Sequence, residues 1–173
     1  MLVLEGAPWR VSARDSTSGG YAQLPETNFM NDKAFVDTNI LVYAHDRISG
    51  IKNDRARALI EKLWSTGGGV ISTQVLQELC INLRRKSANP LTVEETRSLI
   101  EDYLKWEIVV NTPTSVIEAL ANETRYQISF WDALIIHAAE SASAAILYSE
   151  DLSDGQIYGS VRVVNPLTES ASD

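Results

Sequence analysis

The chain has 173 residues, which is enough for one domain with a short extension but not for two full domains. It has 45% hydrophobic residues and no apolar run near the ~18 residues that a membrane span needs, so the composition indicates a globular protein. The net charge of −8 argues against a protein that coats nucleic acid by bulk charge. The one cysteine, Cys80, excludes an internal disulfide framework and is compatible with a reducing cytoplasm.

The first 29 residues differ in composition from the rest of the chain. Residues 14–20 read as a loop or linker, and Pro8 and Pro25 add further breaks. Only Met1 to Leu4 has the pattern of a short strand, and the segment lacks the basic start and long apolar region of a signal peptide. We therefore predict a functional domain at residues 30–173. Residues 1–29 would be an amino-terminal extension: a misassigned start, a non-native remnant or a docking arm.

From Ala34 onward, strand patterns alternate with helical ones. In chain order, the patterns predict a strand at Ala34 to Asp37, a helix through Tyr43, a helix at Lys52 to Trp64 and a strand at Val70 to Ser72. They continue with a helix at Thr73 to Lys86, a helix from Thr92 to about Trp106, a strand at Ile108 to Val110 and a helix from Ser115 to about Tyr126. The last predicted elements are a helix at Trp131 to Ser143 and strands at Ala145 to Tyr148 and Val161 to Val164. This alternation predicts an α/β fold with about five short, mainly parallel strands flanked by helices.

Two acids follow predicted strands. Asp37 comes at the end of the first strand, and Asp151 follows the strand that ends at Tyr148. In open parallel sheets, ligands bind outside the carboxyl ends of the strands, so both acids are placed at the edge where a site is expected. Simpler interpretations exist: Asp37 is also a favourable helix N-cap, and Asp151 and Asp154 have the composition of turn residues.

Two further acids lie on predicted helices. Asp132 shares a face with apolar Ile135 and Ile136, where an ionised carboxylate is costly unless a helix N-terminus or a metal ion stabilises it. Glu78 lies at the rim of the apolar face of its helix, in a polar stripe with Gln74 and Asn82. A solvated stripe is the simpler interpretation of this second pattern.

The four acids together indicate a metal site. If they converge, each pair of carboxylates at ~5 Å costs roughly 3 kcal/mol at an effective dielectric constant of 20. A folded protein keeps such a cluster when a divalent cation neutralises it. Oxygen ligands without cysteine or histidine favour Mg²⁺ or Mn²⁺.

Four segments that contain these acids resemble the motifs of the PIN domain. The segments are residues 35–43 (FVDTNILVY), 72–79 (STQVLQEL), 131–135 (WDALI) and 148–152 (YSEDL). Their order and spacing are similar to those of the compact bacterial members, the VapC-type toxins of toxin–antitoxin pairs. The resemblance covers about residues 33 to 165.

The resemblance implies a three-layer sandwich of helices around a parallel sheet, and a metal-dependent ribonuclease. It implies that Asp37, Glu78, Asp132 and Asp151 form the acidic quartet that holds Mg²⁺ or Mn²⁺, with Asp154 as a possible additional ligand. Thr38 and Asn39 would support the first motif by hydrogen bonding. The expected partners are an RNA substrate, a cognate antitoxin and a second copy of the chain, and the expected location is the cytoplasm.

Cations for RNA binding are expected near the end of the Glu78 helix, where Arg84 and Arg85 are followed by Lys86. We predict that Arg84 and Arg85 contact RNA, although cations are also favourable at any helix C-terminus. The other basic residues gather around the preceding helix: Arg47, Lys52, Arg55, Arg57 and Lys62. For Lys52 and Lys62 we favour a solvated face.

Three alternative functions stay open at this point. A phosphatase of the haloacid dehalogenase type also places Asp after its first strand, but usually has a second Asp where this chain has Asn39. An inactive binding module on the same fold would not need all four acids. A housekeeping PIN nuclease that processes RNA without an antitoxin is the third alternative. The isolated His45, His137 and Cys80 do not suggest a nucleophilic triad.

Overall fold

The computed structural model describes residues 33–168 except residues 86 and 88. The amino-terminal extension predicted at residues 1–29, with its possible strand at Met1 to Leu4, lies outside the described residues, as does the predicted helix end at Lys86.

The described part of the chain alternates between short strands and helices, as the sequence predicts. The strands are β1 (Ala34–Val36), β2 (Gly69–Ser72), β3 (Glu107–Val109), β4 (Ile146–Tyr148), β5 (Ile157–Tyr158) and β6 (Val161–Val164). The α-helices are α1 (Thr38–His45), α2 (Ile51–Thr66), α3 (Thr73–Arg85), α4 (Val93–Tyr103), α5 (Pro113–Tyr126) and α6 (Phe130–Ser141), and a short 3₁₀ helix spans Arg47–Ser49. Within the described residues, no helix is long and apolar enough to cross a membrane.

The strands form one sheet in the order β3-β2-β1-β4-β6-β5, and all neighbours are parallel except β5 and β6. β1 is central, with Phe35 paired to Val70 of β2 on one side and to Leu147 of β4 on the other. The chain builds outward from β1 through β2 to β3 and then crosses back to β4. The point where the strand order reverses therefore lies between β1 and β4, and this is where ligands bind in sheets of this kind.

The helices cover both faces of the sheet. α1 to α4 connect strands that advance in one direction, whereas α5 and α6 connect β3 back to β4. Right-handed crossovers place these two groups on opposite faces, which gives three layers. All three residues of β1 are buried, and α6 contributes a nearly continuous buried surface that includes Ile135, Ile136 and Ala139. The predicted α/β class with a mainly parallel sheet is confirmed.

The elements differ from the predicted ones mainly in three respects, and the other boundaries shift by one or two residues. The sheet as described has six strands instead of about five, because the two-residue antiparallel β5 is too short to give a sequence period. α5 begins at Pro113 rather than Ser115, since Thr112 is its N-cap and Ser115 is the partner in the capping box. α4 ends at Tyr103, and the turn that follows it leads into β3.

Candidate active site

Asp37 lies at the carboxyl end of the central strand and is the N-cap of α1. Its Oδ1 accepts a hydrogen bond from Thr38 N at 2.6 Å, and its Oδ2 accepts one from Ser149 Oγ at 2.8 Å. Ser149 follows β4, so this second bond crosses the point where the strand order reverses. The N-cap interpretation is therefore correct, but the cap uses only one of the two carboxylate oxygens, and the other links β1 to the loop after β4.

Glu78 is connected to Asp37 through the first turn of α1. Thr38 Oγ1 donates to Glu78 Oε2 at 2.6 Å, and Gln74 Nε2 donates to Glu78 Oε1 at 3.0 Å. Gln74 is buried, so the polar stripe on α3 is not simply a solvated face. Because β2 continues into α3 without a loop, Glu78 is carried on a helix that starts at the carboxyl edge of the sheet.

Asp151 reaches the same edge through the loop after β4. Asn39 Nδ2 donates to Asp151 Oδ2 at 2.9 Å, and Asp151 N donates to Ser149 Oγ at 3.2 Å. Thr38 therefore connects the first motif to Glu78, and Asn39 connects it to Asp151. Ser149 contacts both Asp37 and Asp151.

Burial and neighbouring charge act together on Asp37. The pKa of this carboxyl is raised from 3.8 to about 7: desolvation raises it most and the charges of Asp151 and Glu78 add to the rise, while the hydrogen bonds from Ser149 and Thr38 lower it. The carboxyl is thus poorly stabilised as an anion in the protein alone. A nearby cation would favour its ionised form.

Asp132 lies in the first turn of α6, at the same edge of the sheet. Its Oδ2 accepts a hydrogen bond from Ser129 Oγ at 2.7 Å, while Asp132 N donates to Ser129 Oγ at 3.1 Å. Among the described residues, no hydrogen bond joins Asp132 to the other three acids. The neighbouring residue Trp131 lines a cavity with Glu78, which brings the start of α6 close to α3.

Asp154, the possible additional metal ligand, forms a hydrogen bond to the backbone of the chain. Its Oδ1 accepts a hydrogen bond from Asn165 N at 2.8 Å, which joins the loop after β4 to the end of β6. This bond agrees with the interpretation of Asp154 as a turn residue.

The donor set fits a hard divalent cation in chemical type, although it is not preassembled. No group of three or more His, Cys, Asp or Glu side chains among the described residues has the spacing to hold a metal ion. However, Asn39 Oδ1 and Gln74 Oε1 are buried without a hydrogen-bond partner beside the acids, and the high pKa of Asp37 shows that its charge lacks compensation. Carboxylate and amide oxygens are the ligand types that Mg²⁺ and Mn²⁺ prefer.

The basic residues near the site fall into two groups. Arg84 and Arg85 are exposed in the last turn of α3. Lys52, for which a solvated face was expected, instead forms an ion pair with Glu150, donates to Tyr43 Oη at 3.4 Å and lies 4.8 Å from the centre of that ring. Lys52 therefore anchors the residue that precedes Asp151.

Sequence reasoning missed Ser149, Gln74 and the Lys52–Glu150 pair. Ser149 directly follows the strand pattern at residues 145–148, so the sequence places it at the carboxyl edge of the sheet. A serine at such a position is common, and its position alone does not indicate a functional residue. The Lys52–Glu150 pair joins residues 98 positions apart, and no local pattern reveals such a contact.

Comparison with known proteins identifies the family. The PIN domain model matches residues 34–153, and the chain belongs to the PIN domain family. Among solved structures, it is similar to the Mycobacterium tuberculosis toxin VapC20, which cleaves the sarcin-ricin loop, with a TM-score of 0.53, 17% identity and coverage of 68% of this chain and 88% of that one.

It is also similar to the DNA-bound VapBC from Salmonella typhimurium, with a TM-score of 0.53, 20% identity and coverage of 76% of this chain and 96% of that one. These likenesses show that the fold is that of the VapC structures. No curated protein matches the chain significantly.

Proposed function

We propose that the chain is a metal-dependent endoribonuclease that hydrolyses RNA phosphodiester bonds and acts as the toxin of a toxin–antitoxin pair. The observation that carries this proposal is the state of Asp37: a buried carboxyl with a raised pKa, linked through Thr38 to Glu78 and through Ser149 to Asp151. Burying a carboxylate beside two other acids costs stability in the protein without a cation. Membership in the PIN domain family supports a nuclease, and the matched segment, residues 34–153, contains the four proposed acids.

The proposed ligands of Mg²⁺ or Mn²⁺ are Asp37, Glu78, Asp132 and Asp151. Asp154 would join them only if its carboxylate left the amide of Asn165. When bound, such an ion lowers the pKa of a water molecule and neutralises charge that develops on the phosphate.

The residues of the chain then have distinct tasks. Thr38 and Asn39 hold the carboxylates of Glu78 and Asp151 in position through their hydrogen bonds. Arg84 and Arg85 hold phosphates that flank the cleaved bond. Water attacks the phosphorus in line and the 3′-oxygen leaves, so the product carries a 5′-phosphate.

The proposed partners are RNA, an antitoxin protein and a second copy of the chain. The likeness to VapC20 and VapBC supports the toxin assignment and the antitoxin partner. An exposed apolar surface on and before α5 supports the dimer; it consists of Val110, Val116, Ile117 and Leu120. RNA as substrate implies that the protein acts in the cytoplasm.

The test is cleavage of RNA by the purified chain with EDTA, Mg²⁺ or Mn²⁺, together with a melting scan under the same conditions. We expect cleavage only with the metal, products with 5′-phosphates, and a higher melting temperature with millimolar Mn²⁺ because binding stabilises the folded state by mass action. Cleavage that persists in EDTA, or no melting shift together with no measurable metal binding, would contradict the proposal. A short neighbouring gene for a DNA-binding antitoxin would distinguish the toxin from a housekeeping nuclease.

A further inference from the structure

A cavity of about 430 Å³ opens between α3 and the first turn of α6, directly beside the acidic site. Its lining residues are Gln74, Gln77, Glu78, Ile81, Asn82 and Trp131. The volume is within the range of roughly 300–1,000 Å³ that is typical of small-ligand sites. Glu78 belongs to both the cavity and the acidic site. An occupant of the cavity would therefore lie next to the phosphate that the proposed reaction cleaves.

Trp131 provides an aromatic wall that solvent can reach. Its side chain is 60% exposed, although residues 133–136, which begin two positions further along the same helix, are all buried. The ring of Phe130 lies 5.3 Å from the indole in an edge-to-face arrangement, which supports the indole from the protein side. Aromatic side chains in this situation are stacking surfaces for unpaired bases.

The polar side chains of the cavity are mainly amides. Gln74 is only 5% exposed; its Nε2 donates to Glu78, while its Oε1 has no hydrogen-bond partner among the described residues. A buried acceptor without a partner costs free energy, so a ligand that offers a donor to this amide would be favoured. Gln77 and Asn82 add two more amides on the same helix. Amide side chains pair with the donor and acceptor edges of bases.

The charge of the cavity selects among the parts of a nucleotide. Of the six described side chains that line it, none is cationic, and Glu78 is acidic. A phosphate would be repelled there, whereas a flat neutral group with hydrogen-bonding edges fits both the indole and the amides.

We propose that this cavity binds an unpaired nucleobase of the RNA next to the cleaved phosphate, stacked on Trp131 and read by the amides of Gln74 and Asn82. This inference rests on the proposed ribonuclease function and adds to it the place where the base next to the cleaved bond is held. It also adds that the base in this cavity sets a sequence preference. A protein segment in the same place is the competing occupant.

The test uses conditions in which the proposed reaction cannot proceed: the four RNA homotrinucleotides are added in EDTA, which removes the metal that cleavage needs. We measure quenching of tryptophan fluorescence in the parent chain and in Trp131→Phe, so that the difference isolates the signal of Trp131 from the other tryptophans. We expect saturable quenching by one trinucleotide more than by the others, and loss of this signal but not of binding in Trp131→Phe. Asn82→Ala should change the order of the four affinities.

Cleavage gives the second measurement. Trp131→Ala should lower kcat/KM on single-stranded RNA by roughly 5- to 100-fold, the range expected for loss of one stacked base. Leu104→Ala is the matched control. Its side chain is 56% exposed, and it lies in the turn that enters β3, at the opposite end of the sheet from the site. An RNA in which the nucleotide proposed to occupy the cavity lacks its base should be cleaved by the parent with a similarly lowered kcat/KM. The same RNA should show little further loss of kcat/KM with Trp131→Ala.

The outcomes separate this inference from the proposed function. If the parent cleaves RNA while Trp131→Ala cleaves equally well and no trinucleotide quenches, the base site is wrong and the ribonuclease remains. If the parent cleaves no RNA under any metal condition but a trinucleotide quenches saturably, the base site remains and the ribonuclease is wrong. If Trp131→Ala impairs abasic and intact RNA equally, the indole does not contact a base and the inference fails.

Discussion

At the residue scale, Asp37 is a helix cap and also a buried carboxyl whose ionised form its surroundings stabilise poorly. We expect Asp37→Asn to abolish RNA cleavage and to stabilise the metal-free protein, because the amide keeps the shape of the side chain and removes the buried charge. A pKa raised from 3.8 to about 7 corresponds to roughly 4 kcal/mol of lost stability at pH 8.

The pH dependence follows from the direction of this shift. Because the pKa is higher in the folded state, the folded protein keeps a proton between pH 3.8 and about 7 that the unfolded chain has released. The loss of folding stability that Asp37 causes is therefore small near pH 4, grows as the pH rises to about 7, and is constant above pH 7. Urea unfolding in EDTA at pH 5 and pH 8 measures it: the gain of Asp37→Asn over the parent should be larger at pH 8. An equal gain at both values would mean that Asp37 does not titrate as described.

Thr38 contributes through its hydroxyl. Thr38→Val removes the bond to Glu78 Oε2 and keeps the volume of this buried side chain, whereas Thr38→Ser keeps the hydroxyl and loses a methyl group. Residues that orient metal ligands typically affect metal affinity or activity by about 10- to 100-fold. We expect a loss of this size in Mn²⁺ affinity for the Val variant, measured by calorimetry, and a much smaller loss for the Ser variant. Equal losses would assign Thr38 to packing alone.

The proximity of Asp37, Glu78 and Asp151 was predictable from sequence, because each follows a strand or lies on a helix that starts at the same edge of the sheet; their role as metal ligands stays a prediction. The groups that hold them were less predictable. Ser149 and Gln74 have neutral side chains. Their importance comes from hydrogen bonds, one across the sheet to Asp37 and one along α3 to Glu78. The role proposed for Asp132 remains a prediction, since its observed bonds go to the cap residue Ser129.

At the scale of elements, helix and strand order follows from hydrophobic period and capping, and the prediction missed only β5 and the short 3₁₀ helix among the described elements. The boundaries depended on local chemistry that the period does not show. At α5, the start predicted at Ser115 was wrong: Thr112 is the N-cap, and the hydroxyls of Thr112 and Ser115 share one capping box. Pro113 settles the start, because its ring suits the first helical position and lacks the N–H that would be left unpaired there.

The exposed carboxyl end of α3 is the element that we expect to hold the RNA strand. Arg84 and Arg85 lie six and seven residues beyond Glu78, which is roughly 9–11 Å along the helix axis. The double variant Arg84→Ala/Arg85→Ala should bind RNA more weakly, with a shallower salt dependence by about one for each lost phosphate contact. Metal binding should be unchanged, and cleavage should fall more at low RNA than at saturating RNA.

A matched control for this variant is Arg125→Ala/Arg162→Ala, which removes the same charge from α5 and β6. Both side chains are exposed; Arg125 lies over the ring of Tyr126, and Arg162 is paired with Ile146 in the sheet. If both double variants lose the same affinity and salt slope, the effect is one of net charge and not of a binding site on α3.

At the scale of the whole molecule, the site is a property of the sheet rather than of any one segment. Asp37, Glu78 and Asp151 are separated by about 40 and 70 residues in sequence and meet because β1 lies between β2 and β4. The sequence predicted this meeting only through alternation of elements and family resemblance, since strand order is not written in any local pattern. The sixth strand and the Lys52–Glu150 pair depend on the same long-range arrangement.

The start of the domain can be tested through the contacts that the central strand makes. The first described residue, Lys33, accepts a hydrogen bond at its carbonyl from Ala145 N at 3.0 Å and forms an ion pair with Glu107, and Ala34 N donates to Gly68 O at 2.9 Å. A chain begun at Met30 keeps these contacts, β1 and all the proposed ligands. We therefore expect it to melt within a few degrees of the full chain and to cleave RNA at a similar rate. A chain begun at Phe35 is the comparison, because it loses both residues and the pairing that they give to the central strand. If the Met30 chain is insoluble or melts as low as the Phe35 chain, the residues before Met30 contribute to the core, and the predicted domain start is wrong.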